Sequence, residues 1–138
     1  MLVTWPRALA AGLVVLALAA LADPTSACSV LKGDKVLLAS QGLDPDVFVW
    51  DSSQRLIDYV RGDYDVESVL RHTVLAKPGT TAIATDCRGS VARPKYAKVD
   101  IDAVGVKLTK GPNRGHYGWV MAEDVRRLDG KPVTVSVP

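Results

Sequence analysis

Two cysteines, Cys28 and Cys87, and two histidines, His72 and His116, are the residues of this chain best suited to covalent chemistry. A cysteine nucleophile needs a neighbouring base to bring its thiol below a pKa of about 8.5, and histidine is the usual partner. Cys87 sits in Thr85-Asp-Cys-Arg88, which has no helix N-terminus to activate it, and His72 falls within a strand-like pattern. Either a disulfide to Cys28 or a free, catalytic Cys87 fits the residue types, and the first would consume the thiol of the second. The densest cluster of functional side chains is GPNRGHYGWV, residues 111–120, with Arg114, His116, Tyr117 and Trp119 among three glycines.

Other constellations read as structural. Asp44/Asp46, Asp63/Asp65 and Asp100/Asp102 have the i, i+2 spacing of calcium loops but lack the glycine and downstream glutamate that complete the ligand set. They read as solvated loop carboxylates, and no metal or cofactor is expected. No glycine-rich loop opens a helix after a strand, as phosphate binding requires. Arg61-Gly62-Asp63 spells an integrin-recognition tripeptide, but Gly62 is already accounted for as a helix stop.

The chain begins with an export-type segment. Arg7 precedes fifteen apolar or small residues, 8–22, followed by Asp-Pro-Thr-Ser-Ala. A basic n-region, an apolar h-region and small residues at the cleavage site define a signal peptide, here residues 1–27. Fifteen residues fall short of the roughly 20 that span a bilayer. Cleavage leaves 111 residues, 28–138, room for one small domain. Without Arg7 and Asp23, 16 basic and 14 acidic residues keep the net charge at +2. This balance, with scattered Lys and Arg, argues against nucleic acid. Both cysteines lie in the exported part, where a disulfide is the usual outcome. Thr-Ser-Ala-Cys28 also resembles a bacterial lipobox, which would diacylate Cys28. Thr at position −3 and the polar residues before it favour the disulfide. The membrane is then reached only through the signal peptide or a lipidated Cys28.

The exported part alternates between short apolar runs and turns. Residues 36–39 and 47–50 (VFVW) read as strands, and Ser52 or Ser53 caps a helix over 54–61, with Leu56, Ile57 and Val60 on one face and Gly62 as its stop. Residues 69–76 (VLRHTVLA) form a strand ending at Lys-Pro-Gly, and 80–87 return as the next. A loop over 88–102 precedes 103–109, with Val104, Val106 and Leu108 on one side. Residues 119–121, Val125 and the tail 133–137 complete the β set. Five or six short strands with turns every ten residues or so indicate a small barrel or sandwich.

The segment VGVKLTKGPNRGHYGWVMAEDVR resembles the C-terminal half of bacterial SH3-like domains. The matching positions are Val104, Val106, Gly118, Trp119 and Val120, with Ala122-Glu123-Asp124 as a helical turn and Val125 as a closing strand. The resemblance covers about 25 residues and implies a mainly β, SH3-like barrel of five to six strands, here with one short helix inserted within 44–65. It also implies a noncatalytic module at the cell envelope that binds a cell-wall peptide or an extracytoplasmic protein. With Trp119 as core anchor, as the Gly-Trp-Val pattern implies, Tyr117 on the same strand face points inward or to the rim, and Arg114 and His116 face outward. The expected binding surface is Trp50, Arg114, His116 and Tyr117. An envelope lipoprotein with an assembly role and a small Cys87-dependent hydrolase are the alternatives.

Overall fold

The computed structural model describes residue 28 and residues 30–133; the expected signal peptide over 1–27 and, past Val133, the expected tail strand over 133–137 lie outside the described residues. Seven antiparallel strands curl into a half-barrel in the order β3-β2-β6-β5-β4-β1-β7: β1 Lys35–Leu38, β2 Val47–Trp50, β3 Thr73–Ala76, β4 Thr81–Ala92, β5 Ile101–Leu108, β6 Tyr117–Met121 and β7 Val125–Arg126. Two helices, α1 Ser53–Arg61 and α2 Val66–His72, form the connection from β2 to β3. The described residues are thus mainly β, as expected, but with seven strands and two helices in place of five or six strands and one helix.

The extra helix replaces the first half of the strand expected over 69–76. Asp65 caps α2 by accepting from the Ser68 amide at 2.6 Å. Glu67 and Arg71 pair one turn apart, and Thr73 Oγ1 donates to the Val69 carbonyl at 2.6 Å. These local bonds outweigh the modest β preference of Val69, and only Thr73–Ala76 remains extended. The expected loop over 88–102 is also shorter. β4 continues to Ala92 through two irregularities in its pairing with β5, one of them at Ser90, whose φ is 51°. The Asp102 carboxylate accepts from the Ser90 amide at 2.8 Å and holds that irregularity.

The sheet is buried on its concave face and on part of its convex face. Its concave face holds a core of β-branched and small residues, among them Val36, Leu38, Val47, Val49, Ala82, Ala84, Val104, Val106, Leu108, Val120 and Val125. Cys87 packs against this core and is disulfide-bonded to Cys28, with Cα atoms 5.9 Å apart. On the convex face α1 covers Trp50, Ala103, Trp119 and Met121 with Leu56, Tyr59 and Val60. The buried helical positions are therefore i, i+3 and i+4, with Tyr59 where the sequence pointed to Ile57. Ser52 caps α1 by accepting from Arg55, and Gly62 ends it in the left-handed conformation, both as expected.

One glycine fixes how the sheet is joined. β2 meets β6 through the pair Trp50–Trp119. Next to it, a Cβ on Gly118 would stand 2.4 Å from Val49 Cγ1 and 2.7 Å from the Trp50 carbonyl oxygen. The backbone oxygen cannot move aside without breaking the strand pair. Gly118→Ala should therefore destabilise the fold by roughly 1–3 kcal/mol in urea titrations, as overpacking does. Tyr117→Ala, next door on the exposed side, should stay within about 0.5 kcal/mol.

Candidate functional site

The expected surface does not assemble. Trp50 is 1% exposed beneath α1 and is a core residue. Tyr117 shares a strand face with Trp119, as expected, but that face is the convex one. α1 covers Trp119 and leaves Tyr117 62% exposed, with Lys107 Nζ 5.3 Å from its ring. Arg88 lies 4.6 Å over Trp119 and donates to Ser53 Oγ at 2.8 Å, which closes the Trp119 edge. His116 and Tyr117 border a shallow hollow with Asp51 and His72, where His72 Nδ1 and Asp51 Oδ2 are 2.7 Å apart. Arg114 is exposed and stands apart from that hollow.

The glycine-rich stretch itself is a turn. Gly111 and Gly115 take φ of 85° and 86°, which side-chain-bearing residues rarely adopt. Asn113 Nδ2 donates to the Leu75 carbonyl at 2.9 Å, tying the turn to β3. The disulfide removes the Cys87 thiol from any cysteine–histidine pair. Apart from Asp63, which is exposed, each paired aspartate has a structural explanation or a rim position. Asp65 caps α2, Asp46 binds Lys77 at 2.8 Å, Asp100 binds Arg93 at 2.9 Å and Asp102 holds Ser90. Among the described residues no three His, Cys, Asp or Glu side chains group as a metal site.

A more developed concavity lies where the β1–β2 loop, α1 and the 3-10 turn Ala122–Asp124 meet. It measures about 410 Å³, within the range of ligand pockets. Strand alternation builds it. Val47 and Val49 point into the half-barrel, so Phe48 and Trp50 point out toward α1. Tyr59 stands between them, 5.1 Å from the Trp50 ring and 6.1 Å and nearly perpendicular to Phe48. Asp44 and Asp46 border the opening from the loop side, and Asp124 from the 3-10 turn.

Asp124 is the unusual group. It is 8% exposed, the one buried charged residue among the described residues. Its backbone carbonyl accepts from Ala39 at 2.8 Å, which anchors the β1–β2 loop over it. Gln41 Nε2 donates to the neighbouring Glu123 carbonyl at 2.5 Å. Burial, then the charge of Glu123, push the Asp124 carboxyl up from 3.8 to about 7; Asp44 adds to this, while Gln41 and Arg126 oppose it. Tyr59 is raised in turn by burial and by Tyr64, Asp44 and Asp124, so its hydroxyl sits in the same negative field.

Sequence reasoning passed over this cleft, although VFVW carried part of the signal. Alternating valine and aromatic residues on one strand imply two buried faces, and hence a cover over the aromatic side. A second concavity, about 510 Å³ beneath α2, is lined almost wholly by apolar side chains such as Tyr64, Val66, Leu70 and Leu75. It lacks the charged groups that would orient a ligand. No protein-family model matches this chain, and neither do curated proteins or solved structures.

An acid whose pKa rises on folding destabilises the fold once it must ionise. Below about pH 4 the carboxyl is protonated in both states; between there and about pH 7 only the folded state keeps the proton, so stability falls as pH rises. Asp124→Asn should therefore be more stable than wild type above about pH 7, by a few kcal/mol at most. The difference should vanish below about pH 4, as read from urea midpoints across that range.

Proposed function

We propose that this chain is an exported, noncatalytic recognition domain of SH3-like type, working in the bacterial cell envelope or secreted medium on a cell-wall peptide or an extracytoplasmic protein. The cleft between the β1–β2 loop, α1 and the 3-10 turn is its ligand seat. The observation that carries the reading is the combination of three aromatic side chains with a buried carboxylate at one concavity of ligand size. Aromatic rings supply contact area at little entropic cost, and a small number of placed polar groups fixes orientation. Export is supported by the leader-like first 27 residues and by the Cys28–Cys87 disulfide, which suits an oxidising compartment. The SH3-like assignment rests on the Val-x-Val strand, Gly-Trp-Val, the helical turn at Ala122–Asp124 and the short strand from Val125.

A disulfide at Cys28 occupies the sulfur that lipidation would alkylate, and one at Cys87 occupies the thiol a hydrolase would need. Intact mass after alkylation of the exported protein separates the three readings. A disulfide leaves both cysteines unlabelled and without acyl mass, a lipoprotein carries acyl mass on Cys28, and a hydrolase labels at Cys87.

Mature protein mixed with purified cell wall should pellet with it, and Phe48→Ala or Tyr59→Leu should release most of the bound fraction. Arg114→Ala and His116→Ala should pellet as wild type does. Retention no greater than that of an unrelated exported protein of similar charge would exclude the cell-wall ligand.

A further inference from the structure

The cleft is negative in a protein of net charge +2. Asp124, Glu123 and Asp44 all border it, and among the described residues no Lys, Arg or His makes an ion pair with any of the three. The nearby cations are engaged elsewhere. Lys77 neutralises Asp46, and Arg126 donates through Nη1 to the carbonyls of Glu123 and Val125. An almost fully buried carboxylate with no cation of its own, bordering a cavity walled by Phe48 and Tyr59 and floored by Trp50, sets strict terms for an occupant. An anion would be repelled, and a neutral apolar group would bury the carboxylate further without pairing it. Organic cations gain from both surfaces, through charge on the carboxylate and through the faces of the rings.

We propose that the cleft binds an alkylammonium group, the end of a lysine-type side chain on a peptide, with Asp124 as its buried counter-charge and Tyr59 and Phe48 as its aromatic walls. This rests on the reading of the cleft as the ligand seat and names the chemical class that the seat selects. A free small amine presents the same chemistry, and the experiment below separates the two sources.

The proposal links binding to protons. The groups facing Asp124 are Glu123 and Arg126 from its own segment, Gln41 and Asp44 from the β1–β2 loop, and Tyr59 from α1. An ammonium ion favours the ionised form of Asp124, so occupancy releases its proton. Affinity should rise as pH increases through about 7 and level off above it.

The test is an amide-resolved NMR titration of the mature, disulfide-bonded protein with Nα-acetyl-lysine methylamide, its Nε-acetylated counterpart and propylammonium. The lysine compound should shift the amides of Phe48, Tyr59 and Met121. The Nε-acetylated compound should bind at least about tenfold more weakly, the equivalent of one charge contact. Asp124→Asn should lose a similar factor and with it the dependence on pH; Asp44→Asn, at the exposed rim, should show a smaller loss. Binding of propylammonium as tight as that of the lysine compound would identify a free amine as the ligand, whereas clearly weaker binding would identify a peptide-borne one. Equal affinity for the two acetylation states overturns the cationic assignment while leaving the cleft as a peptide seat. If none of the compounds shifts the cleft amides although the protein still pellets with cell wall, both the cationic assignment and the seat are wrong.

Discussion

The contact on which the rest of the structure depends is the close approach of β2 to β6 at Gly118. β2 is reached from β1 by a loop and joined to β3 by two helices, so its place beside β6 is not set by chain connectivity. It is set by the Trp50–Trp119 pair and by the absence of a side chain on Gly118, which lets Val49 and the Trp50 carbonyl close onto β6. Once β2 is placed, its alternation sends Val47 and Val49 into the half-barrel and Phe48 and Trp50 outward. The outward pair would leave a large aromatic surface in water, and α1 is the cover. The cleft forms where that cover stops short of Phe48 and the β1–β2 loop folds over Asp124.

A buried carboxylate works against the stability of such a small domain. Desolvating Asp124 without an ion-pair partner keeps its proton to about neutral pH, and a neutral isostere would fold at least as well. Its neighbours relieve it only in part. Gln41 and Arg126 lower the carboxyl pKa, but burial and the Glu123 charge outweigh them. A residue that weakens the fold yet borders a ligand-sized cavity is the pattern expected of a site, where local strain is tolerated for interaction.

Local signals made much of the architecture legible. Ser52 and Gly62 marked both ends of α1, and the alternation of Val104, Val106 and Leu108 identified the inward face of β5. Two cysteines in a segment expected to be exported pointed to the disulfide. The misreadings came where a long-range or competing local term decided. VLRHTVLA has the apolar content of a strand, but the Asp65 cap and the Glu67–Arg71 pair turn its first half into helix. Period-2 logic correctly grouped Tyr117 with Trp119, yet could not say that the sheet is also covered on part of its convex face and that α1 stops before Tyr117. Asp124 was invisible as a site residue, because its burial depends on a loop 80 or so positions earlier in the chain folding over it, and one acidic residue in a helical turn carries no sign of that.

The glycine-rich turn, which drew attention for its histidine, arginine and aromatics, acts on the cleft only through the frame. Asn113 holds β3 through the Leu75 carbonyl, and Gly118, lacking a Cβ, leaves room for the Trp50 carbonyl to close onto β6. One hydrogen bond to β3 and one close approach to β2 set the β2–β3 pair against β6. Phe48 lies directly across from Leu75 in that pair, so its ring direction, and the width of the cleft it walls, follow from where the turn sets β3. The polar side chains that this frame leaves over, Arg114 and His116, are exposed and form no part of the cleft's lining. The contribution of the stretch therefore lies in its glycines and its asparagine: it sets the geometry of a candidate site to which its charged and aromatic residues do not belong.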